Sequence, residues 1–193
     1  MNFVDGEILY IDKPLEWTSF DAVKRVRGAL LRRTGLKKLK VGHAGTLDPL
    51  ATGVMIVCTG RSTKRIEELQ AGTKEYIATI ALGATTPSYD LETEIDAYYP
   101  TEHINRESVE QALSKFIGEI EQIPPTYSAC KVDGKRAYKA ARKGQEVELK
   151  PKKLVIDEIE LLEYDQKEVK IRVECSKGTY IRALARDLGE ALS

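Results

Sequence analysis

Residues that carry metal or redox chemistry are scarce in this sequence. It has three cysteines and two histidines in 193 positions. Cys58, Cys130 and Cys175 are odd in number, far apart, and each in or beside an apolar stretch. With no C-x-x-C pair they form no disulfide framework, which points to a reducing, cytoplasmic setting. His43 and His103 cannot complete four nitrogen or sulfur ligands at short spacing, so no metal site is expected. No apolar run approaches the roughly 18 residues of a membrane span. The opening MNFVDGEILYIDKP lacks the charged-then-apolar layout of a signal peptide. Net charge is missing as well: 30 Lys and Arg balance 30 Asp and Glu. Taken over the whole chain, that neutrality argues against a nucleic-acid partner.

What is present changes that last inference. From Ala22 to Leu47 there are eight basic residues and no acidic one, and from Lys131 to Lys153 nine against three. Thr86 to Glu121 carries nine acidic residues against Arg106 and Lys115. Binding depends on a face and not on a total, so two basic segments can make an electropositive surface on a neutral protein. The bland reading is a pair of solvated helix faces.

With 42% hydrophobic residues the chain is rich enough in apolar groups to build one domain without staples. Glu7 to Ile11 reads as a strand stopped by Lys13-Pro14. Thr18 or Ser19 caps a helix whose apolar positions Phe20, Val23, Val26 and Leu30 recur at helical spacing. Val54 to Cys58 reads as a buried strand and Ser62 to Leu69 as a helix. Tyr76, Ala78, Ile80 and Leu82 alternate on one strand face. Asn105 to Ile117 is helical, with Val109, Leu113, Phe116 and Ile117 on one side. A basic helix is predicted from Lys135 to Lys143, paired strands over Leu154 to Leu162 and Val169 to Cys175, and a last helix carrying Ile181, Leu184, Ala185 and Leu188. Strands with intervening helices indicate an α+β fold on a mixed, mainly antiparallel sheet flanked by helices. The proline-bounded stretch from about 124 to 150 is the candidate insertion.

Two segments concentrate chemistry. In GHAGTLDPLATG, residues 42–53, Asp48-Pro49 suits a helix start, while Gly42, Gly45 and Gly53 permit unusual dihedrals and close approach of a ligand. A phosphate loop of the G-x-x-x-x-G-K-[ST] type is excluded. In KGTYIRALARDLG, residues 177–189, Tyr180 and Arg182 point the same way if the chain is still extended there. Arg182 could then pair with a buried carboxylate and hold it ionised. Read alone, these features leave one carboxylate held in a tight loop near a histidine, next to a strongly basic helix.

Five ordered strings, VGHAGTLDPLATGVM, GRSTK, KEYIATIALGATT, IPPTYSACKVDGKRAYKAARKG and CSKGTYIRALARDLG, resemble the TruB family of tRNA pseudouridine synthases from about Leu9 to Leu188. The resemblance implies a pseudouridine synthase fold with an inserted thumb loop, isomerising uridine 55 in the T-loop of tRNA without cofactor or metal, as a monomer. It implies that Asp48 is the essential catalytic group, as nucleophile at C1′ or base at C2′ of the ribose. By the same resemblance Tyr76 stacks on the base and helps remove the C5 proton, Tyr180 lines the pocket, and Arg182 pairs with Asp48. His43 helps occupy the space left by the flipped nucleotide, and Lys64 lies near the RNA. Tyr127, Lys131, Lys135, Arg136, Tyr138 and Arg142 fall in the thumb, over residues 124–150 of a catalytic domain that takes in the whole chain. There are departures. Where the family often reads T-D-T-x-D, this chain has TTPSYD, which keeps Thr86 and Asp90, taken as RNA contacts. The family's usual further strand and its PUA-type domain are expected to be absent.

Overall fold

The computed structural model describes residues 1–128, 130–132, 135–137 and 149–193. They form two compact units, Met1–Gly72 and Thr73–Ser193. The α+β class is as the sequence predicted, and every strand pairing among the described residues is antiparallel. No described helix is long and apolar enough to cross a membrane.

The first unit is a three-stranded sheet with one long helix on it. Strand β1 (Ile8–Lys13) pairs with β3 (Gly53–Thr59), and β3 with β2 (Val41–Ala44), giving the order β1-β3-β2. Helix α1 (Ser19–Thr34) starts at Thr18, whose side chain accepts from the Asp21 amide while the Asp21 side chain bonds back to Thr18, a full capping box. It ends at Gly35 in the left-handed conformation, φ 70°. Ala22 and Val23 pack on Met55 and Val57, with Leu9, Ile11, Val26 and Val41 around them. Phe20, predicted to be core, is 57% exposed. It lies to the side of the buried stripe, and the Lys24 ammonium sits 4.7 Å above its ring. The predicted 62–69 helix is a 3-10 turn over Gly60–Arg65 followed by α2 (Ile66–Ala71).

The second unit is built on a four-stranded sheet, β4-β11-β10-β7. Its strands are β4 (Lys74–Ala81), β7 (Gly118–Gln122), β10 (Lys152–Tyr164) and β11 (Glu168–Cys175). Ribbons β5 (Ala84–Thr85) with β6 (Ala97–Tyr98), and β8 (Lys131–Val132) with β9 (Lys135–Arg136), complete the strands. Helices α3 (Arg106–Ser114) and α4 (Ile181–Ala191) supply Val109, Leu113, Leu184 and Leu188 to a core shared with Ile156, Val169, Ile171 and Val173. Tyr76, Ala78, Ile80 and Leu82 turn to this core together, as their alternation predicted. On the other face Arg172 holds Glu75, Glu158 and Glu160 at 2.9, 2.8 and 3.0 Å.

Two further boundaries differ from expectation. Helix α3 stops at Ser114, because Gly118, with φ 99°, turns the chain into β7. Ile117 is left 46% exposed. Lys135 and Arg136 form a strand and not a helix start, paired antiparallel with Lys131–Val132. Ala137 is helical, and the predicted basic helix from 138 on, with Tyr138 and Arg142, lies outside the described residues.

Candidate active site

In the first unit the glycine-framed loop joins β2 to β3. Gly45 and Gly53 have φ of 106° and 116°, conformations that L side chains rarely adopt, so both are needed as glycines. Gly42 serves differently: a Cβ there would come 2.8 Å from the Ile66 Cδ1. Asp48-Pro49 does not start a helix. The Ala51 amide donates to the Asp48 carbonyl at 3.0 Å, closing a β-turn with aspartate at its first position and proline at its second. The residue preferences of that turn are those of an N-cap followed by a helical proline, so composition alone could not separate the two.

This turn is held from two sides. The Ser19 hydroxyl, at the start of α1, donates to the Leu47 carbonyl at 3.0 Å and accepts from the Leu47 amide at 2.9 Å. Lys13 is fully buried, and its ammonium donates to the carbonyls of Trp17 at 2.6 Å, Pro14 at 3.0 Å and Pro49 at 3.3 Å. The Pro49 carbonyl also accepts from the Glu16 amide at 2.8 Å. Burial lowers the Lys13 pKa, and the Asp48 charge opposes that shift. A buried cation thus ties the exit of β1 to the turn that presents Asp48, itself half-buried. Lys13 was read from sequence only as a strand stop. Its register with Leu9 and Ile11, on the inward face of β1, was the available signal. His43, on β2, pairs through Nδ1 with the Gly45 carbonyl, and Lys64 is exposed on the 3-10 turn.

In the second unit Tyr76 lies half-buried on β4 and packs against the core. Tyr180 is the N-cap of α4 with extended backbone, φ −104° and ψ 111°, but Ile181 and Arg182 are already helical, so the extended chain expected to point Tyr180 and Arg182 the same way stops at Tyr180. Gln122 fixes it there. This fully buried side chain on β7 accepts from the Tyr180 amide at 2.9 Å and donates to the Tyr180 carbonyl at 3.2 Å. Sequence reading missed Gln122. Its place in register with Gly118 and Ile120 puts a polar group on an inward strand position, which was a usable signal.

Arg182 has only 12% of its side chain exposed. Its guanidinium donates to the Ser88 carbonyl at 2.9 Å and the Tyr127 carbonyl at 3.0 Å, and its Nε lies 3.6 Å from Asp90 Oδ2. Asp90 is therefore turned inward, toward Arg182. Its Oδ1 accepts from the Ser88 hydroxyl and the Glu92 amide, while Oδ2 is buried with no hydrogen-bond partner among the described residues. Between them Tyr89 sits at φ 60°, rare outside glycine, with its ring under Arg186 at 5.1 Å. Two arginines one helical turn apart, Arg182 and Arg186, thus grip one loop. Lys131 lies on β8. Among the described residues no group of three or more His, Cys, Asp or Glu is placed to hold a metal ion.

Comparison with known proteins agrees with the motifs. The sequence model of the TruB family pseudouridylate synthase (N terminal domain) matches residues 32–181. A protein of Phocaeicola vulgatus named tRNA pseudouridine synthase B is 73% identical over 193 residues, the whole of this chain and 82% of that protein. Its namesake in Flavobacterium johnsoniae is 53% identical over 192 residues, covering 99% of this chain and 84% of the other. Among solved structures, a Cbf5-Nop10-Gar1 complex matches with a TM-score of 0.70 and 28% identity, over 99% of this chain and 45% of that one. An H/ACA RNP bound to a substrate RNA containing 2′-deoxyuridine matches with a TM-score of 0.67 and 26% identity, over 99% and 44%. The chain belongs to the TruB family of pseudouridylate synthases.

Proposed function

We propose that this enzyme isomerises uridine to pseudouridine at position 55 in the T-loop of tRNA, as a cytoplasmic monomer without metal or cofactor. The observation that carries the reading is Asp48, presented at the head of a turn that a buried cation and a buried hydroxyl hold in place. The reaction breaks the C1′–N1 bond, turns the uracil and joins C1′ to C5; the C5 proton leaves and N1 gains one. Atoms and electrons balance within the nucleotide. C1′ and C5 are not both reachable in a stacked loop, so the target base is flipped out. Asp48 acts at the ribose, either attacking C1′ or taking the C2′ proton. Arg182 pairs with Asp48 and keeps it ionised in a site that excludes water. Tyr76 stacks on the base and takes part in removing the C5 proton, and Tyr180 lines the pocket.

On this reading Asp90 acts through Arg182, an assignment supported by their 3.6 Å approach. His43 fills the space left by the flipped nucleotide. Lys64 and Lys131 contact the RNA, the latter from the thumb at about residues 124–150 of the catalytic domain. The three buried, free cysteines suit a reducing compartment.

The test is pseudouridine formation in a T-stem-loop RNA, digested to nucleosides and separated by chromatography. Wild type is expected to convert the single uridine, and Asp48→Asn to be slower by at least about a thousandfold. Conversion by the Asn variant at the wild-type rate overturns the assignment of Asp48. Tight, salt-sensitive binding by wild type with no product favours an RNA-binding module instead.

A further inference from the structure

No described residue covers the outward face of α1. The basic residues of the helix, Lys24, Arg25, Arg27, Arg32 and Arg33, with Lys37, Lys38 and Lys40 beyond it, are all exposed, and Lys24, Arg25 and Arg32 lie on the outward face. Among the described residues only Lys24 has a carboxylate within ion-pair distance, Asp21 at 3.8 Å. Asp21, Lys24, Arg25, Gly28 and Arg32 form one stripe, and with Trp17 they line a shallow cavity of about 310 Å³. Gly28 keeps its floor low. Trp17 and Phe20, 37% and 57% exposed, flank its N-terminal end. Cations around a hollow with aromatic rings at one end suit a sugar–phosphate backbone with an adjoining base.

The position of the stripe says which part of an RNA it could meet. The Asp48 turn meets α1 through Ser19, on the side that also carries Ala22, Val23 and Leu30, all buried. At 100° per residue the stripe lies on the opposite side of the helix. An α-helix with its side chains is about 10–12 Å across, and 16 residues run about 24 Å. A short stem is a stiff rod on this scale, so a hairpin whose loop delivers a nucleotide to Asp48 does not also wrap to the far side of α1. A second limb of the same folded RNA can.

We propose that the outer stripe of α1 is a second RNA-contact site, holding the phosphate backbone of tRNA outside the T-stem-loop. The inference rests on tRNA as substrate and extends it to a surface separate from the catalytic loop. It gives the enzyme a means of preferring folded tRNA over an isolated hairpin.

The test compares wild type with Arg25→Glu/Arg32→Glu on full-length tRNA and on the T-stem-loop, measuring dissociation constants and pseudouridine formation across a salt series. Both residues are exposed, so the variant is expected to keep the wild-type melting temperature. With full-length tRNA its affinity should fall roughly tenfold or more, and the slope of log affinity against log salt should drop by about 1.5. With the T-stem-loop, affinity and turnover should stay at wild-type values. Lys115→Glu/Lys167→Glu, the same charge change on exposed positions of the second unit, should leave both RNAs unaffected. Equal losses on both RNAs, or no loss on either, overturn the proposal. Wild type that binds but makes no pseudouridine defeats the proposed activity instead, while the affinity difference still decides the role of the stripe.

Discussion

Each unit of the chain contains a buried cation that gathers main-chain carbonyls, and the two are used differently. In the first, Lys13 draws together Pro14, Trp17 and Pro49, and the residue that matters for chemistry is its neighbour, Asp48. In the second, Arg182 gathers Ser88 and Tyr127, with Asp90 beside it, and is itself the proposed participant. An ammonium is a compact charge on a flexible stem that can satisfy several acceptors without fixed geometry. A guanidinium is a rigid fork whose donors have set directions. The first device suits holding a turn closed, and the second suits aiming a charge. The units differ in overall balance as well: the first has twelve basic and eight acidic residues, the second eighteen and twenty-two. A neutral chain therefore contains one electropositive unit, and that unit carries Asp48.

If this contrast is right, substitutions at the two cations should separate activity from stability. The largest effect on turnover is expected for Arg182→Lys. One ammonium cannot reproduce the directions of the fork, so the charge stays in place but is misaimed. Turnover on T-stem-loop RNA should fall about a hundredfold, the cost of roughly an ångström of misplacement. KM should change little. A variant with normal turnover would show that Arg182 only ties loops together, and the contrast with Lys13 would collapse.

A smaller and more diagnostic effect is expected at Gln122, whose amide makes a two-bond bridge to the peptide of Tyr180. In Gln122→Glu an ionised carboxylate can accept from the Tyr180 amide, but its other oxygen faces the Tyr180 carbonyl and is repelled. The protonated acid restores both bonds. Burial raises the pKa of such a group, so the bridge is present below that value and lost as pH rises through it. Turnover relative to wild type should be down about tenfold at pH 8 and climb as pH falls. A pH-independent ratio would mean that Gln122 fills space and does not aim Tyr180 and Arg182.

How much of this was legible in the sequence follows from the range of each interaction. Helix α1, the Tyr76 strand, the β10–β11 pair and α4 announce themselves through local periodicity, and the structure has them near the predicted residues. The short strands β2 and β7 lack enough residues to show a period. The turn at Asp48 was misjudged because Asp-Pro is favoured both at a helix start and in a β-turn, and what decides is the anchoring by Lys13 and Ser19. Those anchors lie 36 and 28 residues away, and Gln122 lies 58 residues from Tyr180. No window along the chain contains such pairs. The roles proposed for Asp48, Tyr76 and Arg182 rest on motif resemblance, which carries long-range information that periodicity lacks. The resemblance gives Asp90 as an RNA contact and says nothing of Arg182, whose Nε lies 3.6 Å from the Asp90 carboxylate.

The smallest effect on turnover, and the clearest on stability, is expected for Lys13→Met. Methionine keeps most of the volume of the lysine stem and removes the donor. The carbonyls of Pro14 and Trp17 then lose a buried partner, and Pro49 keeps only the Glu16 amide. Leaving these part-buried acceptors without their donor costs up to about 1–3 kcal/mol, from which relief of burying an ammonium must be subtracted. Unfolding in urea should therefore show a loss of about 2 kcal/mol. Turnover below the shifted melting point should fall by less than about tenfold, since Ser19 still holds Leu47 and the turn itself is closed by its own hydrogen bond. A hundredfold fall in turnover with unchanged stability would reverse the assignment, making Lys13 an electrostatic partner of Asp48 and placing the chemically engaged cation of the first unit on β1.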